Sequence, residues 1–175
     1  SALEHGGVAP AIVDRSADLS RIIEPIVKGG YYHAGQVCVS TQRIFVHNDI
    51  ADDFTEALIA RAERLRTGDP TLKDTDVGPL IQPREADRVA EWIDEAVKGG
   101  AKLASGGKRL SETTLQPTVL LDPAADARVT TQEVFGPVVA VYRYSDLDKA
   151  IARANSLPTA FQASIFAQDI DIAMR

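Results

Sequence analysis

Short apolar runs rich in β-branched residues alternate along this chain with longer segments of helical periodicity. This alternation is typical of βαβ units, in which helices connect neighbouring parallel strands. The pattern predicts strands at residues 9–13, 43–46, 118–121, 138–142 and 163–166. It predicts helices from Asp18 to Gly29-Gly30, over 49–66 and 83–97, and from Asp146 and Asp169. We therefore expect an α/β fold with three layers, a mainly parallel twisted sheet with helices on both faces.

Composition and charge narrow the classes of function. The 175 residues are 45% hydrophobic and 25% charged, the proportions of an ordinary globular domain. The net charge is -6 and no run of four or more basic residues occurs, so we expect no nucleic-acid partner. No apolar run approaches the roughly 20 residues of a membrane span, and no signal peptide is visible. We therefore expect no membrane partner and a location in the cytoplasm.

Cys38 is the residue with the most reactive side chain, and as the only cysteine it excludes a disulfide scaffold. A lone cysteine is usually a small buried hydrophobe. Here it follows Gly35 in a predicted loop between a helix and a strand, where ligands approach α/β sheets. A thiol nucleophile needs a base, and His33 and Glu4 are the nearest candidates in the sequence. The three histidines lack the spacing of zinc ligands, so we expect no metal.

Three separate strings carry a resemblance that none of them carries alone. They are Leu3-Glu4-His5-Gly6-Gly7, Gly35-Gln36-Val37-Cys38 and Glu133-Val134-Phe135-Gly136-Pro137-Val138. In this order and spacing they resemble the signature motifs of the aldehyde dehydrogenase superfamily. Smaller matches extend the resemblance over essentially the whole chain: Arg43, Gly68-Asp69-Pro70, Val77-Gly78-Pro79-Leu80 and Ala154-Asn155.

The resemblance implies a role for each matching residue. Cys38 is similar to the nucleophile, which attacks the aldehyde to form a thiohemiacetal and then, after hydride transfer to NAD or NADP, a thioester. Its backbone N–H would help to stabilise the oxyanion. Glu4 matches the general base that activates water to hydrolyse the thioester. Glu133 matches the carboxylate that binds the nicotinamide-side ribose, and Phe135 matches the ring beside the nicotinamide.

The resemblance also implies how this chain relates to a complete enzyme. Family members are well over twice as long, so residues 1–175 are expected to be the catalytic domain, with the cofactor domain absent from this chain. The full-length protein would be a homo-oligomer, a dimer or tetramer, that oxidises a small-molecule aldehyde to a carboxylic acid. We expect the chain alone to be inactive, since dinucleotide binding needs the missing domain. Which aldehyde is oxidised, and whether with NAD or NADP, stays open.

Three alternatives stay open at this point. The first is the coenzyme A-acylating branch of the same superfamily, whose members often lack the base that Glu4 matches. The second is a non-catalytic relative kept as a structural or interaction protein, which would have no reason to retain Cys38, Glu4 and Glu133 together. The third is a thiol hydrolase that uses Cys38 and His33.

Overall fold

The computed structural model describes residues 6–175. Its strands are β1 (Ala9–Val13), β2 (Thr41–His47), β3 (Lys102–Ser105), β4 (Thr118–Leu121), β5 (Val138–Tyr144) and β6 (Ser164–Phe166). Over the described range they form one six-stranded sheet in the order β3-β4-β5-β2-β1-β6. β3 runs antiparallel to β4, and the other neighbouring pairs are parallel. The prediction of a mainly parallel sheet is confirmed.

Helices cover both faces of this sheet, as predicted. They are α1 (Leu19–Tyr31), α2 (Ala51–Ala62), α3 (Pro83–Lys98), α4 (Arg128–Thr131), α5 (Leu147–Ala154) and α6 (Ile170–Ala173). Successive side chains of a strand point to opposite faces. On β2, Ile44 and Val46 join the larger core with α1, α2 and α3, whereas Phe45 packs with Ala150 and Ala154 of α5. The central strands are therefore buried on both sides.

The end of α1 differs from the prediction, because the helix continues through Gly29-Gly30 to Tyr31. A Cβ on Gly30 would lie 2.6 Å from Cγ1 of Val139, and one on Gly29 would lie 2.9 Å from Oγ1 of Thr41. Both distances are too short for a contact between a Cβ atom and a non-bonded atom. The two glycines therefore let α1 approach the sheet closely. They serve packing here, and α1 ends at Tyr31, one residue beyond the predicted Gly29-Gly30.

Other elements also differ from the prediction. The helix predicted over 49–66 is shorter, because a 3₁₀ turn (Asn48–Ile50) precedes α2 and hydrogen-bonded turns follow Ala62. The edge strand β3 was not predicted, since it is short and its residues Lys102 and Leu103 are exposed, which hides the apolar pattern of a strand. Among the residues described, no helix is both long and apolar enough to span a membrane.

Candidate active site

Cys38 lies in the connection between α1 and β2, as predicted. A 3₁₀ turn (Tyr32–Gly35) follows α1, and His33 and Ala34 within it have φ angles of 49° and 57°. Left-handed backbone of this kind costs non-glycine residues on the order of 1–2 kcal/mol each. The backbone N–H of Ser40 then donates to the carbonyl of Val37 at 2.9 Å, which closes a turn around Cys38. The cysteine is half-buried and unpaired, which fits a thiol that a small reagent can reach.

The side chain of Gln36 stabilises this strained connection through three hydrogen bonds. Its amide Nε2 donates to the carbonyls of His33 at 3.1 Å and Pro79 at 3.2 Å. Its Oε1 accepts from the backbone N–H of Ile81 at 2.9 Å. One side chain thus ties the loop of Cys38 to the segment before α3, and these bonds offset part of the backbone strain.

The loop of Cys38 meets the loop of Glu133 at two glycines. Gly35 has a φ of 71°, and a Cβ there would lie 2.1 Å from the carbonyl oxygen of Gly136. Backbone therefore touches backbone at this point, and only glycine fits. Gly35 is three residues before Cys38 and Gly136 is three residues after Glu133, so the contact brings the second and third motifs together.

Glu133 also reaches the first motif. Its Oε1 accepts a hydrogen bond from the backbone N–H of Gly7 at 3.3 Å. Its Oε2 fills the space that a side chain on Gly6 would need, since a Cβ on Gly6 would lie 2.1 Å from this oxygen. Glu4 lies outside the residues that the structure describes, so its position stays a prediction. The glycines that follow it are nevertheless packed against Glu133.

Phe135 stands two residues beyond Glu133 on the same loop. Its φ is 49° and the residue is 42% exposed. A phenylalanine that merely filled a turn would be expected in the core, whereas this ring is presented to solvent. Glu133 is partly exposed as well, so the carboxylate and the ring are both accessible from outside the chain.

The described parts of all three motifs stand at the amino ends of parallel strands that are neighbours in the sheet. Gly6-Gly7 precedes β1, Cys38 precedes β2 and Glu133 precedes β5. At this edge Ala9 pairs with Thr41 and Arg43 pairs with Ala140, with a shift of register between Ala9 and Pro10. Open α/β sheets usually bind ligands beyond the carboxyl ends of their strands. The candidate residues do lie beside strand ends, but at the amino edge of the sheet, and ligand binding there stays a prediction.

A cleft of about 370 Å³ adjoins the thiol loop. Val37 and Val39, the two neighbours of Cys38, line it, and most of the remaining wall is apolar. Lys28 contributes a cation to the lining. The residues that line the cleft are Pro25, Lys28, Gly29, Tyr32, Val37, Val39, Ser40 and Gln162.

His33, the other candidate base for Cys38, is directed elsewhere. Its ring is exposed and packs against the ring of Tyr32, with 3.9 Å between the ring centroids. Across residues 6–175, none of the hydrogen bonds joins His33 to Cys38. In that same range no cluster of three or more His, Cys, Asp or Glu side chains is arranged to hold a metal ion.

Two polar side chains of β2 support the site in ways that were not predicted, although Arg43 was among the matches that carry the resemblance. Gln42 binds the segment of Glu133, and Arg43 is only 2% exposed. The Arg43 guanidinium donates to the carbonyls of Val8, Arg153 and Ala154, so it joins the entry of β1 to the end of α5. The available signal was a pair of long polar residues directly before the apolar residues 44–46 of a predicted strand.

Comparison with known proteins decides the family. The model of the aldehyde dehydrogenase family matches residues 1–175. The chain belongs to the aldehyde dehydrogenase family. The resemblance inferred from the three motifs is thereby confirmed.

Curated relatives and solved structures agree with this assignment. A 3-sulfolactaldehyde dehydrogenase of Priestia megaterium is 42% identical over 173 residues, which cover 99% of this chain and 36% of that protein. A succinate-semialdehyde dehydrogenase (NADP+) 1 of Mycobacterium tuberculosis is 40% identical over 169 residues, covering 95% of this chain and 37% of the relative. The crystal structure of aldehyde dehydrogenase 21 from Physcomitrella patens, in complex with the reaction product succinate, superposes with a TM-score of 0.93 and 38% identity. It covers 97% of this chain and 35% of the other. This aldehyde dehydrogenase chain therefore spans about a third of the length of such relatives.

Proposed function

We propose that the full-length protein is an NAD(P)-dependent aldehyde dehydrogenase that oxidises an aldehyde to a carboxylic acid. One observation carries the proposal: the loops of Cys38 and Glu133 touch at Gly35 and Gly136, and Glu133 also contacts Gly7. The thiol loop, the carboxylate loop and the strand entered from Glu4 therefore share one edge of the sheet. These are the parts that the family's reaction needs beside one another.

Cys38 would supply the nucleophile. Its thiolate sulfur attacks the carbonyl carbon, a C–S bond forms, and the carbonyl π electrons move to the oxygen. The backbone around Cys38 is already held by Gln36 and by the Val37–Ser40 turn, so little reorganisation is needed to receive that charge. The apolar cleft beside Val37 and Val39 would receive the carbon chain of the aldehyde.

Glu133 and Phe135 fit the requirements of a nicotinamide nucleotide. A partly exposed carboxylate can accept hydrogen bonds from the neighbouring hydroxyls of a ribose, and an exposed aromatic ring can pack against a flat heterocycle. When bound, the cofactor supplies the acceptor for the hydride. The remaining binding energy would come from a cofactor domain outside this chain, with residues 1–175 forming the catalytic domain.

Glu4 would complete the cycle as general base. It removes a proton from water, whose oxygen attacks the thioester carbon on Cys38, and the C–S bond breaks to release the acid and the thiolate. Two residues after Glu4, Gly6 packs against Glu133. The coenzyme A-acylating branch is the alternative, and the presence of Glu4 favours hydrolysis. We propose further that the full-length enzyme is a homo-oligomer in the cytoplasm.

The proposal is tested in the full-length protein with Glu4→Gln and Cys38→Ser. Replacing a general base lowers the rate of its step by roughly 10²–10⁴. With aldehyde and NAD(P)+, Glu4→Gln should give a burst of reduced cofactor near one per site and then very slow turnover. Intact-mass spectrometry should find the acyl group on the protein. Cys38→Ser should show neither burst nor adduct, and exposed Glu112→Gln should behave as wild type.

Four outcomes would contradict parts of this proposal. Undiminished turnover of Glu4→Gln would remove the base, and a Glu4→Gln enzyme without a burst would place Glu4 before hydride transfer. Aldehyde-dependent reduction of NAD(P)+ by residues 1–175 alone would show that no further cofactor domain is needed. Acyl transfer to added coenzyme A at the rate of hydrolysis or faster would favour the acylating branch.

A further inference from the structure

Gln42 is a buried polar side chain on β2, four residues after Cys38. It is 5% exposed, and Ile44 and Val46 on the same face of the strand belong to the apolar core. A primary amide brings two N–H donors and one carbonyl acceptor into that setting, and burial requires a partner for each. The positions of those partners therefore reveal what the side chain does.

All three partners lie on the short segment that carries Glu133. The amide Nε2 of Gln42 donates to the carbonyl of Val129 and to the carbonyl of Gln132, both at 2.8 Å. Its Oε1 accepts from the backbone N–H of Val134 at 2.9 Å. Gln132 and Val134 are the residues directly before and after Glu133. One side chain thus fixes the backbone on both sides of this carboxylate.

A side chain of α3, Arg88, also binds the backbone of this segment. Nη2 of Arg88 donates to the carbonyl of Val134 at 2.7 Å, while Nε of Arg88 pairs with Glu85 at 2.8 Å. The guanidinium carbon also lies 4.6 Å from the centre of the Trp92 ring. Arg88 therefore connects the segment to a helix, whereas Gln42 connects it to the strand that begins at the thiol loop.

We propose that Gln42 is a positioning residue, which fixes the position of the Glu133 carboxylate relative to Cys38 for cofactor binding. The inference rests on the proposed function, because it takes Glu133 to bind the cofactor's ribose. An amide meets the need because it offers two donors and an acceptor in one plane. A carboxylate in its place would face the carbonyls of Val129 and Gln132 with oxygen. A methionine would fill the space and bind neither carbonyl.

The experiment measures dinucleotide affinity in the full-length enzyme, using NAD+ and NADP+ as the probes and calorimetry as the readout. Gln42→Met should raise the Kd of the preferred dinucleotide about tenfold or more, since a small displacement of a binding group is costly. The KM for aldehyde and the alkylation rate of Cys38 should change by less than about twofold. Gln132→Met, an exposed side chain on the same segment, is the matched control and should leave the Kd unchanged.

A double-mutant cycle separates positioning from a general structural role. If Gln42 acts through Glu133, Gln42→Met should change the Kd by less than about twofold when Glu133→Gln is already present. The same tenfold rise in both backgrounds would overturn the inference, and so would an unchanged Kd in Gln42→Met itself. Gln42→Asn, which keeps the amide but shortens its reach, replaces Gln42→Met if the latter does not fold, with the same expectation.

The failure of this inference differs from the failure of the proposed function. If Glu133→Gln raises the Kd and Gln42→Met does not, the role of Gln42 alone is wrong. If Glu133→Gln leaves the Kd of both dinucleotides at the wild-type value, the proposed role of Glu133 is wrong, and the inference falls with it.

Discussion

The carboxylate of Glu133 accepts a hydrogen bond from the backbone N–H of Gly7 at 3.3 Å, across 126 residues of sequence. Its other oxygen lies where a side chain on Gly6 would be. The two glycines of the first motif therefore pack directly against this carboxylate. A cofactor-binding role for Glu133 would then depend on residues that themselves carry no functional group.

Gly6→Ala should displace the Glu133 side chain while leaving the fold intact. The new Cβ would come within 2.1 Å of Oε2, the far end of a flexible side chain that can rotate away. We expect a loss of stability below about 1 kcal/mol and, in the full-length enzyme, roughly tenfold weaker dinucleotide binding, since hydrogen bonds to a charged group are affected. Calorimetry of NAD(P)+ binding checks this. Gly78→Ala, whose nearest contact would be an ordinary 3.6 Å, is the control.

Gly35→Ala should have the opposite profile, a large loss of stability. The atom in the way is the backbone oxygen of Gly136 at 2.1 Å, which cannot rotate away, and the φ of 71° adds left-handed strain. We expect the free energy of unfolding to fall by about 3 kcal/mol or more. Urea unfolding measures this, with Gly68→Ala as the matched control because a Cβ there meets nothing within 4 Å. Equal effects of the two substitutions would contradict the close contact of the loops.

Arg43→Lys should destabilise the chain although the charge is kept. Nη1 of Arg43 reaches the carbonyl of Arg153 at 3.0 Å, and Nη2 reaches those of Ala154 at 2.8 Å and Val8 at 3.3 Å. A single ammonium cannot span these acceptors as the planar guanidinium does. We expect a loss of about 1–3 kcal/mol in urea unfolding. Arg15→Lys, at an exposed position, should change stability by less than about 0.5 kcal/mol.

Asp14→Asn should lower stability at neutral pH and matter less in acid. Burial raises the pKa of Asp14, but hydrogen bonds from Ser16 and from the backbone of Arg15, together with the electrostatic effect of the nearby His47, outweigh it and leave the pKa below the usual 3.8. The carboxylate therefore stabilises the fold above pH 3.8, and that contribution disappears as the pH falls through the lower native pKa. We expect about 1 kcal/mol at neutral pH.

Urea unfolding of wild type and Asp14→Asn from neutral to acidic pH checks this, and the difference should narrow below pH 3.8. Exposed Asp53→Asn on α2 is the control and should differ little from wild type throughout. A difference between wild type and Asp14→Asn that is constant with pH would mean that ionisation of Asp14 contributes nothing.

Local sequence patterns predicted those elements whose conformation is determined by residues close in the sequence. The apolar β-branched runs of β1 and β4 were placed with their observed bounds, and Asp18 caps α1 by accepting from the N–H of Ser20, as predicted. The packing role of Gly29-Gly30 was not predicted because its cause lies elsewhere in the chain. Its glycines accommodate β2 and β5, and no pattern near residue 30 reports where β5 will lie.

The candidate site shows the same division. The motifs identified Cys38, Glu133 and Phe135, and each could be placed just before a predicted strand. That the three strand entries adjoin follows from the order β5-β2-β1, which depends on long-range pairing. Gln42 was missed for this reason, since its three partners are at least 87 residues away.

The place of β2 between β1 and β5 has a consequence for how the chain is made. During synthesis β1 and β2 emerge before β5, so β2 has an unpaired side until the chain from His47 to Val138 has followed. Contacts between segments so distant in sequence form slowly and leave an exposed strand edge in the meantime. The thiol loop, which contacts Gly136, thus reaches its final shape only after Gly136 has been made. Until then the nascent chain carries its most reactive side chain on an unfinished sheet.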